Sequence, residues 1–118
     1  MKPLLLASAL CALPVMSAAF EPVNALEEFI EVIEERELRL GLFGISLVIS
    51  PEGTIEGSAS GWPVTGTWEW QDGFFCREMD WGGTEIPYNC QLVEVRGDSE
   101  IRFTVDRGAG ESAAFNLR

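Results

Sequence analysis

The apolar residues of this chain repeat with two different periods, and the change comes near Glu37. Before that residue they recur every three or four positions, as on one face of a helix, at Leu26, Phe29, Ile30 and Ile33. Asn24 and Glu27 have the spacing of a capping box, in which each side chain bonds a backbone N–H of the first turn. The pattern therefore predicts one amphipathic helix that follows Asn24 and ends near Glu37.

After Glu37 the apolar and polar positions alternate, which is typical of strands with one buried face. Gly, Asp, Pro and Ser interrupt the alternation and divide it into about seven strands, with Asp72-Gly73 as the strongest hairpin signal. One inner face results, made of Ile45, Leu47, Ile49, Ile55, Trp62, Val64, Trp68, Trp70, Phe75, Met79, Trp81, Val93, Val95, Ile101, Phe103, Val105, Phe115 and Leu117. We expect an α+β fold in which the helix packs on a curved antiparallel meander, an open or nearly closed β-barrel.

The same alignment predicts which residues face each other, because a one-residue slip would turn every apolar side chain outward. The predicted pairs are Leu47 with Gly57, Val64 with Trp81, Trp68 with Arg77, Trp70 with Phe75, Phe75 with Gln91, Cys76 with Cys90, Val95 with Ile101, Val93 with Phe103, Val105 with Ala113, Phe103 with Phe115 and Ile101 with Leu117. This register places the two cysteines on the outer face or near the rim.

The first 19 residues have the parts of a signal peptide. Lys2 precedes an apolar run from Leu4 to Val15, and the small residues Ser17, Ala18 and Ala19 follow it. The run is too short to span a bilayer, which takes about 20 apolar residues. We expect cleavage after Ala18 or Ala19, which leaves one domain over residues 20–118 that is periplasmic or secreted and has no membrane span.

The composition argues against several classes of function for this domain. The chain has 118 residues, 19 acidic and 8 basic ones, and no histidine. Lys2 is the only lysine, so the mature chain carries seven arginines and a net charge of −12. Such a surface repels nucleic acid, and catalysis by Ser-His-Asp or Cys-His groups needs a histidine. We therefore expect no nucleic-acid partner, no catalytic residue, no metal and no cofactor.

Cysteine usage agrees with export. Cys11 lies in the predicted signal peptide, and Cys76 and Cys90 remain. Two cysteines in an oxidising compartment favour a disulfide. Closing a loop of about 15 residues stabilises a fold by roughly 3 kcal/mol in the chain-entropy model.

Two polar side chains, Arg77 and Gln91, fall on the predicted inner face. One hypothesis is that Arg77 binds an anionic or carbonyl-bearing ligand in a pocket lined by four tryptophans, Trp62, Trp68, Trp70 and Trp81. The alternative is a structural arginine that stacks on Trp68 or bonds an acid or loop carbonyls, with the tryptophans filling the core.

Two polar segments have plain explanations as turns. Glu78, Asp80 and Glu85 surround Gly82-Gly83 without the spacing of a calcium loop, so a solvated hairpin tip is favoured over an acid–base pair or a cation site. The glycine-rich stretch 106–110 connects two strands, and therefore lacks the helix N-terminus used in phosphate binding.

Several of these segments together resemble a known family. They are Gly66-Thr67-Trp68-Glu69-Trp70, Asp72-Gly73-Phe74-Phe75-Cys76-Arg77, Asn89-Cys90-Gln91 and Asp106-Arg107-Gly108-Ala109-Gly110. The chain is similar to small exported proteins of alphaproteobacteria, some of which carry the inherited label dihydrodipicolinate reductase. The resemblance implies a Gram-negative source and no established activity. That label is not supported here, since the mature chain lacks histidine, lysine and a dinucleotide-binding G-x-G-x-x-G turn.

Two functions remain as hypotheses. The first is a monomeric, non-enzymatic domain that binds a small apolar or weakly anionic ligand on its inner face. This predicts a cavity that reaches solvent beside Arg77. The second is a structural or protein-interaction module of the cell envelope, an adaptor or inhibitor, that works through a loop or a sheet edge.

Overall fold

A computed structural model describes residues 19–118, so the predicted signal peptide lies almost wholly outside the described residues. The elements in chain order are β1 (Glu21–Pro22), α1 (Leu26–Ile33), β2 (Leu38–Leu40), β3 (Ile45–Ile49), β4 (Thr54–Ala59), β5 (Trp62–Gln71), β6 (Phe74–Trp81), β7 (Thr84–Arg96), β8 (Glu100–Thr104) and β9 (Ser112–Leu117). Two single 3₁₀ turns, Gly41–Phe43 and Asp106–Gly108, follow β2 and β8.

The strands form a closed antiparallel barrel of eight strands, with each of β2 to β9 bonded to the next and β9 bonded to β2. The short β1 extends the wall beside β7. The expectation of about seven strands in an open or nearly closed sheet was therefore incomplete, because it lacked β2. Three residues directly after a helix are too few to show an alternating pattern, and yet Leu38 pairs with both Leu47 and Leu117.

Most predicted registers are confirmed. Every predicted pair from β3 to β8 is present, including Trp68 with Arg77 and Cys76 with Cys90. Asp72 and Gly73 both adopt positive φ, as a two-residue hairpin of this kind requires. The hairpins were predictable because a turn residue and an alternating pattern fix the same register independently.

The register of the last hairpin was wrong by two residues. Phe103 pairs with Ala113 and Ile101 with Phe115, whereas the sequence suggested Phe115 and Leu117 as their partners. The chain turns earlier, since the Val105 N–H donates to the Glu111 carbonyl. A shift of two leaves every side chain on its predicted face, so the hydrophobic pattern cannot detect it.

The helix closes one end of the barrel. It starts later and ends earlier than predicted: Ala25, rather than Asn24, is the capping residue, and no side chain caps the helix. Glu28, instead of Glu27, accepts a hydrogen bond from the Asn24 N–H at 3.3 Å. Phe29 and Ile33 are buried, while Leu26 at the helix start is exposed.

The Phe29 ring fixes the helix to the barrel. Its centroid lies 5.2 Å from that of Trp68 and 5.1 Å from those of Trp70 and Phe75. Aromatic contacts continue along the barrel axis from Phe75 to Phe103, at 5.1 Å. This end of the interior is therefore filled by aromatic side chains.

The predicted inner face accounts for most of the core, with corrections at its ends. Trp62 is 61% exposed and Trp81 39% exposed, because both lie at the barrel end opposite the helix. Val23 and Leu38 are buried but were not predicted. Val23 precedes the helical pattern, and Leu38 lies between that pattern and the first alternating strand. Neither belongs to a regular pattern, so the sequence alone does not predict its burial.

The Cys76–Cys90 disulfide is present and joins β6 to β7. It lies on the outer face, as predicted, but it is buried. The Tyr88 hydroxyl lies 3.6 Å from the Cys90 sulfur and donates a hydrogen bond to Glu69 at 3.1 Å. Desolvation, and then this bond to Glu69, raise the pKa of Tyr88.

Removing the Phe29 ring should loosen the helix from the barrel. We expect Phe29→Ala to lower the free energy of unfolding by about 3–5 kcal/mol, the usual cost of truncating a buried phenylalanine. Guanidinium denaturation measures this loss. Leu26→Ala, on the same helix but exposed, is the matched control and should cost about 0.5 kcal/mol or less. Equal losses in both variants would contradict the role of Phe29.

Removing the disulfide should destabilise the barrel by about 3 kcal/mol, because the bridge limits the unfolded chain. The double variant Cys76→Ala, Cys90→Ala and the reduced wild type should unfold at the same, lower denaturant concentration. Oxidised and reduced proteins that unfold together would show that the bridge adds nothing.

Candidate functional site

Two inward positions of the barrel wall carry no side chain. Gly57 pairs with Leu47 and Val64, both on the inner face, and Gly66 pairs with Ile55 and Met79 in the same way. The two glycines therefore occupy inward positions. A Cβ at Gly57 would collide with the Ser46 carbonyl oxygen. A Cβ at Gly66 would lie 2.5 Å from the Glu78 carbonyl oxygen. Close approach of the neighbouring strand thus requires glycine at both positions.

The barrel interior contains two adjoining chambers. The inner chamber has a volume of about 300 Å³ and lies next to the aromatic filling at the helix end. The outer chamber, of about 330 Å³, lies toward the opposite end. Leu47, Met79 and Phe115 contribute to the walls of both and mark the boundary between them.

The inner chamber is apolar apart from four side chains. Its apolar wall consists of Leu38, Leu47, Ile49, Ile55, Phe75, Met79, Phe103, Val105, Ala113 and Phe115. Arg77, Gln91, Glu111 and Ser112 are the polar residues of the wall. The last two lie on the exposed hairpin between β8 and β9, so Arg77 and Gln91 are the buried polar groups.

Arg77 is a buried cation without an anionic partner among residues 19–118. It is 8% exposed, and its Nη1 donates a hydrogen bond to the Pro87 carbonyl at 2.8 Å. The ion pairs of the described residues involve Arg39, Arg96 and Arg102 instead. Burial lowers the pKa of Arg77, although a guanidinium keeps its proton in proteins. The remaining N–H groups of Arg77 are available to a ligand in the chamber.

The Pro87 carbonyl reaches Arg77 because of a β-bulge. The register of β6 and β7 shifts between Arg77 and Met79, so that Pro87 and Tyr88 lie opposite Glu78 alone. A proline fits a bulge, where the strand ladder needs no N–H. The backbone-carbonyl partner that the structural alternative required is therefore present, but it occupies only part of the guanidinium.

Gln91 lies on the neighbouring strand, diagonal to Arg77. It is 6% exposed, faces Phe75, and has no side-chain hydrogen bond to any described residue. In the described part of the chain, Arg96 Nε is the only side-chain N or O atom that is both inaccessible and without a hydrogen bond. The unbonded polar atoms of Gln91 are therefore still accessible. The Gln91 amide thus keeps access to the chamber.

The outer chamber reaches the surface. Its wall is made of Phe43, Ile45, Leu47, Ala59, Ser60, Val64, Met79, Trp81, Ile86 and Phe115. Phe43 and Trp81 are exposed, so the chamber opens at the barrel end that carries them. We call this end the mouth. The Trp81 indole N–H donates to the Ala59 carbonyl at 2.9 Å, which holds the ring across the β4 end.

Of the four tryptophans of the expected pocket, three lie outside the two chambers. Trp68 and Trp70 pack around Phe29, and Trp62 packs on Gly82 outside the chambers. Trp81 alone lines a chamber. A period-two pattern shows which face a residue takes, but not its height along the barrel axis.

The acidic residues of the β6–β7 hairpin have turn roles. The Asp80 carboxylate accepts a hydrogen bond from the Gly83 N–H at 2.9 Å, and Asp80 pairs with Glu85. Within residues 19–118, no group of three or more potential ligands could hold a metal ion. Likewise, no helix of that region is long and apolar enough to cross a membrane.

Sequence reasoning missed several parts of the site. The register shows which side chains face inward, but it does not show how completely they fill the interior. The bulge that brings the Pro87 carbonyl to Arg77 had one available signal, a proline inside a strand pattern. Glu111 and Ser112 reach the wall only through the shifted C-terminal hairpin.

Comparison of the chain with protein-family models, with curated proteins and with solved structures finds no match. The resemblance to small exported alphaproteobacterial proteins therefore stays a prediction.

Proposed function

We propose that the protein is an exported, non-enzymatic binding protein that holds a small apolar or weakly anionic molecule inside its barrel. The observation that carries this proposal is the pair of apolar chambers with one buried, incompletely bonded cation, Arg77, in the inner wall. A molecule with one solvated face would gain little from such a site. A molecule that is mostly hydrocarbon gains from every apolar contact in it.

The dimensions support this interpretation. Ligand sites in proteins have volumes of roughly 300–1,000 Å³, with apolar walls and few polar groups that orient the ligand. The inner chamber alone, at about 300 Å³, reaches the lower limit of that range. The outer chamber gives it a path to the surface past Trp81. An eight-stranded barrel is wide enough to hold one small ligand when its interior side chains are small.

Export is the second part of the proposal. The disulfide between Cys76 and Cys90 is of the kind that persists in oxidising compartments. The N-terminal sequence has the pattern of a signal peptide, and no described helix could span a bilayer. We therefore place the working protein in the periplasm or outside the cell, as a monomer.

A second candidate function is an interaction module of the cell envelope. Leu42 and Trp62 favour it, because both are strongly exposed at the mouth and neither lines a chamber. Exposed apolar side chains that cluster often mark contact surfaces. A protein that binds no apolar probe would favour this candidate over a ligand carrier.

A larger side chain in the inner chamber should weaken ligand binding. Ala113 lies in the wall opposite Phe103, so Ala113→Leu places three added carbons in the space. We expect the affinity for 1-anilinonaphthalene-8-sulfonate, an apolar dye with one negative charge, to fall about tenfold, within the usual cost of overpacking. A fluorescence titration measures it.

Ala114→Leu is the matched control, because Ala114 pairs with Arg102 and faces outward. Its affinity for the dye should equal that of the wild type, and circular dichroism should show both variants folded. Equal affinities in the two variants would place the dye elsewhere and refute the proposal.

A further inference from the structure

We infer that the natural ligand is a monocarboxylic acid with an apolar chain, bound with its carboxylate inside the barrel at Arg77 and Gln91 and its tail toward the mouth. This inference rests on the proposed function and adds the chemistry of the ligand and its direction. It follows from the charge of the inner chamber, the number of donors there, and the polarity of the outer chamber.

The charge of the inner chamber selects a monoanion. Arg77 is its only cation, and the one carboxylate in the wall, Glu111, forms no ion pair with it in the described part of the chain. A buried cation without an anion is unfavourable, so a bound anion removes a cost that the empty protein carries. A dianion such as a phosphate ester would keep one negative charge unpaired, in a chain whose net charge is −11.

The donors of the inner chamber fit a carboxylate. Arg77 retains free N–H groups beyond the bond to Pro87, and Gln91 offers an unbonded amide from the adjacent strand. A guanidinium and an amide side by side supply donors to both oxygens of a carboxylate. An alcohol or an aldehyde has one oxygen to accept them, and an amine would add a second cation.

The direction follows from the outer chamber. Its wall is apolar except for Ser60, and the boundary residues Leu47, Met79 and Phe115 are apolar as well. A chain that starts at Arg77 cannot continue toward the helix, because Phe29 and its aromatic neighbours fill that end. The inner chamber also opens beside Glu111, Ser112 and Ala113, which are exposed. That opening is polar, so an apolar chain is better covered where it passes the boundary and extends toward Trp81. The reverse orientation would leave Arg77 against hydrocarbon with no anion.

The test compares decanoate with 1-decanol, which share a chain and differ in the head group. We expect the wild type to bind decanoate about tenfold to a hundredfold more tightly, the effect of hydrogen bonds to a charged group. Arg77→Met should abolish this preference while retaining affinity for 1-decanol. Arg107→Met, at an exposed arginine of the last hairpin, is the matched control and should keep the full preference.

Tryptophan fluorescence reports the direction, and it does not depend on whether Arg77→Met folds. A decanoate with bromine on its last carbon should quench Trp81, whereas bromine next to the carboxylate lies nearer Trp68, which pairs with Arg77. Trp81→Phe should therefore remove most of the quenching by the first acid and leave the quenching by the second unchanged. Quenching by the first acid that persists in Trp81→Phe would overturn the inferred direction.

The outcomes distinguish a failure of this inference from a failure of the proposed function on which it rests. If the protein binds the anionic dye and 1-decanol but shows no preference for decanoate, the inferred carboxylate head group is refuted and the ligand-binding function is not. A protein that binds neither acid, alcohol nor dye would refute both. Affinity for longer saturated acids should rise about fourfold per added methylene until the chain passes the mouth.

Discussion

Closure of the sheet by three residues, Leu38–Leu40, is the constraint on which the rest of the structure depends. This strand bonds β3 on one side and β9 on the other, and the backbones of Glu37 and Arg118 extend the second pairing. Without it, the barrel would present two unpaired edges, and open edges of this kind invite pairing with other chains. Closure also fixes the interior volume, because the number of strands sets the width of a barrel.

Within that fixed volume, the two ends are filled differently. Phe29 enters from the helix and meets Trp68, Trp70 and Phe75, so one end is a packed aromatic core. Toward the mouth, the inward side chains are mainly apolar as well, but they leave open space between them. A single continuous sheet therefore encloses a packed core at one end and a cavity in the remainder.

Arg77 lies where these two regions meet, and its position is unfavourable for stability. Burial without an anion disfavours the charged guanidinium, and one backbone carbonyl offsets only part of this. The bulge that supplies the carbonyl interrupts the β6–β7 ladder close to the disulfide, which ties the same two strands together. The covalent link keeps this pair of strands in register where the hydrogen bonding is irregular. This cost to the empty protein is the physical basis of the proposed binding function.

The sequence by itself determined that a helix precedes the sheet, the register of the hairpins from β3 to β8, and the inward face of the strand residues it recognised, because periodicity and turn chemistry are local properties. It also determined that Arg77 and Gln91 point inward and that Cys76 faces Cys90. Only the tertiary structure decided that Leu38–Leu40 closes the barrel, that Trp68 and Trp70 surround Phe29, and where empty space remains. Those features depend on which residues share a height along the barrel axis, and that height is set by the stagger of all eight strands together, which no short segment encodes.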